Sequence, residues 1–556
     1  MKTGMRQWTM LVLIAALTPP LGAMDEVRVE TRADEATAAF GVTGEGVTIA
    51  VLDRGIDWSH PDFVNPDGTT RIAWMLDHSG FSLCDPGNPS PVEYTAAQID
   101  AALGGGPPLA LRDAVGHGTA TAGTAAGNGR GLPDGRYRGI APGADLLVVK
   151  MTSEGAPAHD GQPAEAPFQG CIDGALDWVA AKAAALDQPL VVIINSGTQW
   201  GPMDGTSAVS RKIDQLFGAD TPGRVVVIPS GDEGSLPNHA GADFDSAAPT
   251  VIGIDKASAG FAAMSGWYSG SVPAEITVTF DDGTFVGPVG PGMTGSASGV
   301  TIINYAPGTE FYPWQSTSGD RALWIGVDGH ATAGSVQIRA TGPGTAGHLD
   351  LYGDVIGPNL TPITSMTDHL VPGRLNDYAS TESAIVVADH VIRTEWIDID
   401  GIPRSIPDEG DVGELWLKSS GGPTRDGRLH GVDISAPGQN LFASMGPDSW
   451  WSTFPWNLPE GSGGLYTRFG GTSGSAPIVV GAVALMLEAD PTLTADQVRT
   501  ILRATAVADG NTGTLPNADW GFGKLDIYEA VRAVAGIIFE DGFESGDLGG
   551  WSSATN

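Results

Sequence analysis

Four apolar, β-branched runs stand out in the first half of the chain, at residues 47–52 (VTIAVL), 146–149 (LLVV), 190–194 (LVVII) and 225–228 (VVVI). None alternates apolar with polar positions, which is the pattern of strands buried on both faces. Helical patterns separate some of them, most clearly at 171–186 (CIDGALDWVAAKAAAL) and 208–217. Strand–helix–strand repetition predicts a parallel sheet with helices on both faces. From 257 to 377 the texture changes. Lysine disappears and short alternating runs recur at 276–280, 300–305, 323–327, 336–340 and 349–351, bounded by glycine-rich turns. This predicts an antiparallel β-sandwich. The α/β texture then resumes and ends in a small-residue helix at 475–488, stopped before Pro491. The fold class predicted is therefore α/β, with a first part at 24–256, an all-β insertion at 257–377 and a second part at 378–535.

Two ends lie outside this scheme. Lys2 and Arg6 precede the apolar run at 10–17 (MLVLIAAL), and Leu21-Gly22-Ala23 is a tolerable cleavage site. Residues 1–23 thus read as an export signal, too short to span a bilayer. No later segment reads as a membrane span, so a secreted or periplasmic bacterial protein is expected. The tail at 536–556, with Phe539, Phe543 and Trp551 among acidic residues, reads equally as a C-terminal signature or a frayed acidic end.

Composition narrows the partners. Lys+Arg is 29 against Asp+Glu 65, a formal charge of −36. A surface this acidic argues against nucleic acid and anionic membranes. Two cysteines exclude a disulfide-dense scaffold and a multi-cysteine metal site. Cys84 lies in a Pro/Gly/Ser-rich loop and Cys171 at a helix start. An exported context permits a bridge between them, and two free thiols are the alternative.

Three segments carry candidate chemistry. Asp53 closes the first apolar run, and open α/β sheets place their sites at C-terminal strand ends; alone it reads as a capping residue. His117 opens a helix of very small residues, which can pack closely beneath a site. Ser473 lies just before the last long helix, at the positive end of its dipole, where a backbone N–H can face a developing oxyanion.

Taken together, in the order Asp, His, Ser, these segments resemble the subtilase (subtilisin-like) serine peptidases. The matching motifs are VLDRGIDWSHPDF around Asp53, GHGTATAGTAAG around His117 and GGTSGSAP around Ser473. Supporting matches are RGIAPGADLLVVK, SSGGPTRDG, DISAPG and WGFGKLDIYEAV. The run 199–207 and the inserted β segment resemble the bacterial branch that includes the Csp-type proteases. The resemblance implies a subtilisin-like fold and an endopeptidase needing no cofactor for its chemistry. In it Ser473 is the nucleophile, His117 the base and Asp53 its partner. The substrate would be an extended protein or peptide, pairing with the strand at Asn195, Ser196 and Gly197. Asp62 and Asn128 match positions near calcium sites of some members, so a structural calcium is set against a plain acidic turn. Many secreted members carry a prodomain, and the stretch between Ala23 and Asp53 is too short for one.

One departure bears on activity. The family's oxyanion asparagine falls where this chain has Asp232, in the run PSGDEG. Alongside the endopeptidase, the sequence therefore leaves a pseudoenzyme or peptide-binding protein with poor turnover.

Overall fold

The structure, a computed structural model, describes residues 23–79, 91–218, 220–310, 313–353, 364–428 and 431–536. The apolar run at 10–17, expected to be an export signal, and nearly all of the C-terminal tail lie outside them. Eight strands build the main sheet, numbered along the chain: β1 Thr48–Asp53, β2 Ile72–Asp77, β3 Val92–Thr95, β4 Asp145–Lys150, β5 Leu190–Ile194, β6 Arg224–Pro229, β7 Ile385–Val391 and β8 Ile434–Gln439. They lie in the order β8-β7-β6-β5-β1-β4-β2-β3. All neighbours are parallel except β3, which pairs antiparallel with β2 at the edge.

Successive side chains of a strand point to opposite faces. Ile49, Val51, Leu146, Val148, Val191 and Ile193 therefore enter one core, and Ala50, Leu52, Leu147, Val149, Val192 and Ile194 the other. This is why the runs lack alternation: both faces are covered. The first core is filled by the helices His117–Ala126 and Thr472–Ala489, the second by Ile172–Leu186 and Ala208–Phe217. Thr472–Ala489 is long and apolar enough to cross a membrane but is 83% buried, as a core helix is. From β1 the chain steps to one side of the sheet through β2, β3 and β4, then to the other through β5 and β6. β1 is thus the topological switch point, and the crevice beyond its C-terminal end is where such sheets bind ligands. Asp53 stands there.

The β insertion is a sandwich of one five-stranded and one six-stranded sheet. Ile252, Met264, Ile276, Ile302, Leu323 and Ile338 meet between the sheets. It begins before residue 257, because His239–Asp245 and Thr250–Lys256 already belong to its two sheets. Sequence alone places these strands in the α/β part because it sets the boundary at the loss of lysine after Lys256. It also ends earlier than 377: Leu375 and Tyr378 pack into the α/β core. Its two ends are paired, Gly241 N–H to His369 O at 3.0 Å and Val371 N–H to His239 O at 3.2 Å.

At this junction Asp377 is fully buried and accepts from Met203 N–H at 3.0 Å. Burial pushes its carboxyl up to about 7. A raised folded-state value contributes stability that is complete below the unfolded value near 4 and is lost as pH rises through about 7. The melting temperatures of wild type and Asp377→Asn should therefore converge near pH 4, with the variant the more stable by a few kcal/mol near pH 8. A gap independent of pH would contradict this.

Cys171 caps the helix Ile172–Leu186, its Sγ accepting from Gly174 N–H, and is disulfide-bonded. Cys84, the chain's other cysteine, lies outside the described residues. Mass analysis after alkylation of the denatured, unreduced chain should find no modified thiol.

Candidate active site

Three loops at the C-terminal edge of the sheet bring the candidate residues together. Gly118 allows the first approach: a Cβ there would lie 2.1 Å from the carbonyl oxygen of Gly55, so only glycine lets His117 come down onto the end of β1. His117 Nδ1 then lies 2.8 Å from Asp53 Oδ1 and 3.0 Å from Oδ2. An ionised carboxylate only accepts, so Nδ1 carries the proton and Nε2 is left as the basic nitrogen. Burial alone would raise the fully buried Asp53 carboxyl, but His117 and the Arg54 cation hold it below its usual value. Arg54 N–H donates to Asp53 Oδ1 at 2.6 Å, and the guanidinium pairs with Glu154.

Ser473 is the second residue of the helix Thr472–Ala489, which starts three residues earlier than its periodicity predicts. Gly471, at φ 72°, turns the chain into that helix. A hydrogen-bond chain ties the serine to the acid. Asn195 Nδ2 donates to Ser473 O at 3.0 Å and to Thr121 Oγ1 at 2.7 Å, and Thr121 Oγ1 donates to Asp53 Oδ2 at 2.7 Å. Asn195 is therefore buried inside the site. Only Ser196 and Gly197 stand at the surface, where a peptide backbone could pair.

Asp232 lies beside the serine. Its Oδ1 accepts from Thr472 N–H at 3.0 Å and from Thr472 Oγ1 at 2.7 Å, and Oδ2 faces Gly471. Burial pushes this carboxyl up, over the opposing hydrogen bonds from Thr472 and the charges of His117 and Lys418. Asp389 on β7 is a second acid close by, fully buried, with Oδ1 accepting from Gly438 N–H at 3.0 Å. Burial, and then the neighbouring Asp232, push it well above the carboxylate range.

Residues 44–523 match the family model described as the subtilase family. The chain belongs to the subtilase family. It is 22% identical over 89% of its length to the minor extracellular protease Vpr of Bacillus subtilis, of which it covers 52%. It is 24% identical over 91% of its length to the subtilisin-like protease SBT2.3 of Arabidopsis thaliana, covering 64%. The chain thus spans between half and two-thirds of the length of these relatives. The fold matches that of the Clostridium perfringens CspB protease with a TM-score of 0.67 and 19% identity, over 92% of this chain and 99% of that one.

Against this subtilase frame, the calcium expectation does not fit. Asp62 Oδ1 accepts from Gly131 N–H and Tyr466 Oη, each at 2.9 Å, and Oδ2 from Ser444 Oγ at 2.7 Å. Asn128 donates its amide to Val64 O and accepts from Arg130 N–H. Both side chains are used as internal ties, with Asp62 fully buried. Among the described residues no cluster of three or more His, Cys, Asp or Glu has metal-binding geometry. Thr121, Thr472 and Asp389 were not singled out by sequence reasoning. Thr121 was legible in principle, since it follows His117 by one helical turn and so shares its face. The other two act through contacts far apart in sequence.

Proposed function

We propose that this subtilase is an exported endopeptidase that cleaves extended protein or peptide substrates through Asp53, His117 and Ser473. Ser473 Oγ attacks the scissile carbonyl carbon while its proton passes to His117 Nε2. The amine leaves with that proton, and water, deprotonated by the same nitrogen, hydrolyses the acyl-enzyme. Asp53 stabilises the imidazolium. The observation that carries the reading is the buried Asp53–His117 contact at 2.8 Å, joined to Ser473 through Thr121 and Asn195.

The oxyanion meets the Ser473 N–H at the positive end of its helix and, on the acidic side where the raised Asp232 carboxyl holds its proton, Asp232 as well. Thr472 occupies Oδ1 with two donors, so in the protonated acid Oδ2 carries the proton and is left to donate. The apolar N-terminal run supports export, as does the word extracellular in the name of the Vpr relative. The same Asp232 favours a second reading, a chain that holds peptides and turns them over poorly. A fluorophosphonate label combined with a casein digestion assay separates them. Labelling with digestion is expected, and labelling without digestion points to one dedicated substrate. Absence of labelling would overturn the peptidase reading.

A further inference from the structure

The segment before the short strand Tyr466–Phe469, which leads into the Ser473 helix, carries four aromatic residues, Trp450, Trp451, Phe454 and Trp456, and no charged side chain from Ser449 to Asn457. It is not buried as core: Trp450, Trp451 and Phe454 are half-buried and Trp456 is 47% exposed. It is also rigidly placed. Trp450 N–H donates to Ala114 O at 2.8 Å and Trp451 N–H to Val115 O at 3.1 Å, so the turn is tied to the backbone that runs into His117. Ser452 Oγ and Thr453 Oγ1 donate back to carbonyls within the turn, each at 2.7 Å. Gly116, at φ 115°, leaves the space required, because a Cβ there would meet the Trp451 ring at 3.1 Å.

The rings lead to the imidazole. Trp451 meets the His117 ring edge-on with centroids 5.8 Å apart, Phe469 meets it at 5.2 Å, and Trp451 and Phe469 lie 6.0 Å apart. The row continues outward from Trp450 to Phe454 at 5.2 Å and from Phe454 to Trp456 at 4.9 Å. Half-exposed aromatic faces beside a reacting centre are apolar surface that gains by being covered.

We propose that Trp451, with Trp450 and Phe454 and backed by the buried Phe469, forms a specificity subsite for a large apolar or aromatic substrate side chain flanking the scissile bond. This rests on the peptidase reading for the position of that bond. A peptide whose carbonyl reaches Ser473 and His117 carries a neighbouring side chain past Trp451, less than 6 Å from the imidazole. An aromatic side chain there gains buried area and edge-to-face contact. A carboxylate would lose hydration for no partner.

The test is a set of blocked peptides of Ala, Gly and Ser in which a single Phe, Leu, Ala or Glu is walked through the sequence. Cleavage sites are read by mass, and kcat/KM is measured for wild type, Trp451→Ala and Trp451→Leu. Wild type should prefer Phe over Ala by roughly tenfold or more at one fixed distance from the scissile bond. That ratio should fall to about twofold in Trp451→Ala and take an intermediate value in Trp451→Leu, which keeps apolar volume and guards against misfolding. A Phe/Ala ratio unchanged in both variants, or no preference at any position in wild type, would overturn the subsite. A merely structural Trp451 would lower kcat/KM for all peptides and leave the ratio intact. If wild type neither labels nor cleaves, the peptidase reading has failed. The subsite is then judged by the same Phe/Ala ratio in peptide binding, measured by anisotropy with Trp451→Ala as the comparison.

Discussion

Ser473→Ala is expected to abolish fluorophosphonate labelling and to cut turnover roughly a millionfold, with a small residual rate from the remaining site. In the proposed mechanism the loss is large because Asp53, His117 and Ser473 act as a unit: without the hydroxyl there is no nucleophile for the base to activate. The fold should persist. The serine backbone, not its hydroxyl, takes the Asn195 hydrogen bond, and the helix is held by a core running from Ile478 to Leu487. Far-ultraviolet dichroism and melting temperature should therefore match wild type. Full peptidase activity in this variant would end the assignment.

Asp232→Asn is expected to raise turnover near pH 7 and to broaden the pH profile. An ionised aspartate beside the oxyanion accepts and cannot donate, and two negative charges a few ångströms apart repel by several kcal/mol at an effective dielectric near 20. The protonated acid is the useful form. Its raised folded-state pKa means that form is present on the acidic side and is lost as pH rises through that value. The lower limb is set by His117, which must be neutral to act as base. Asparagine is nearly isosteric, accepts both Thr472 donors through its oxygen and offers N–H at every pH. The variant should therefore equal wild type where Asp232 holds its proton and exceed it increasingly as pH rises above that range. The ceiling is the roughly hundred- to thousandfold worth of one oxyanion donor. Turnover on one peptide from about pH 5 to pH 9 decides it, and an equal or lower rate in the variant throughout would remove Asp232 from the oxyanion.

Much of this was legible from one sequence because its signals are local. The central strands announce themselves by apolar runs, since a strand covered on both faces has no polar side to alternate. Asp53, His117 and Ser473 each sit in a glycine-rich motif, because close backbone approach, as of Gly118 on Gly55, tolerates no side chain. The change to period-two texture located the insertion but misplaced both its ends. The strand His239–Asp245 turns Ala240, Ala242 and Phe244 inward and Asp243 and Asp245 outward, but which sheet it joins depends on a partner strand about a hundred residues away.

The rest was decided only by tertiary structure. Asp62 reads like a calcium ligand in its motif, yet Tyr466 and Ser444, far along the chain, take up both its oxygens. Asn195 reads like a substrate-facing strand residue, yet it turns inward because Thr121 and the Ser473 carbonyl accept from it there. Asp232 was visible as a departure, but its raised pKa follows from burial that no local pattern encodes. The sequence by itself determined which residues can do chemistry and which segments are strands and helices, because propensity, periodicity and glycine act over a few neighbours. Tertiary structure decided which polar groups are satisfied and which remain free to act, because that depends on partners brought together from across the fold.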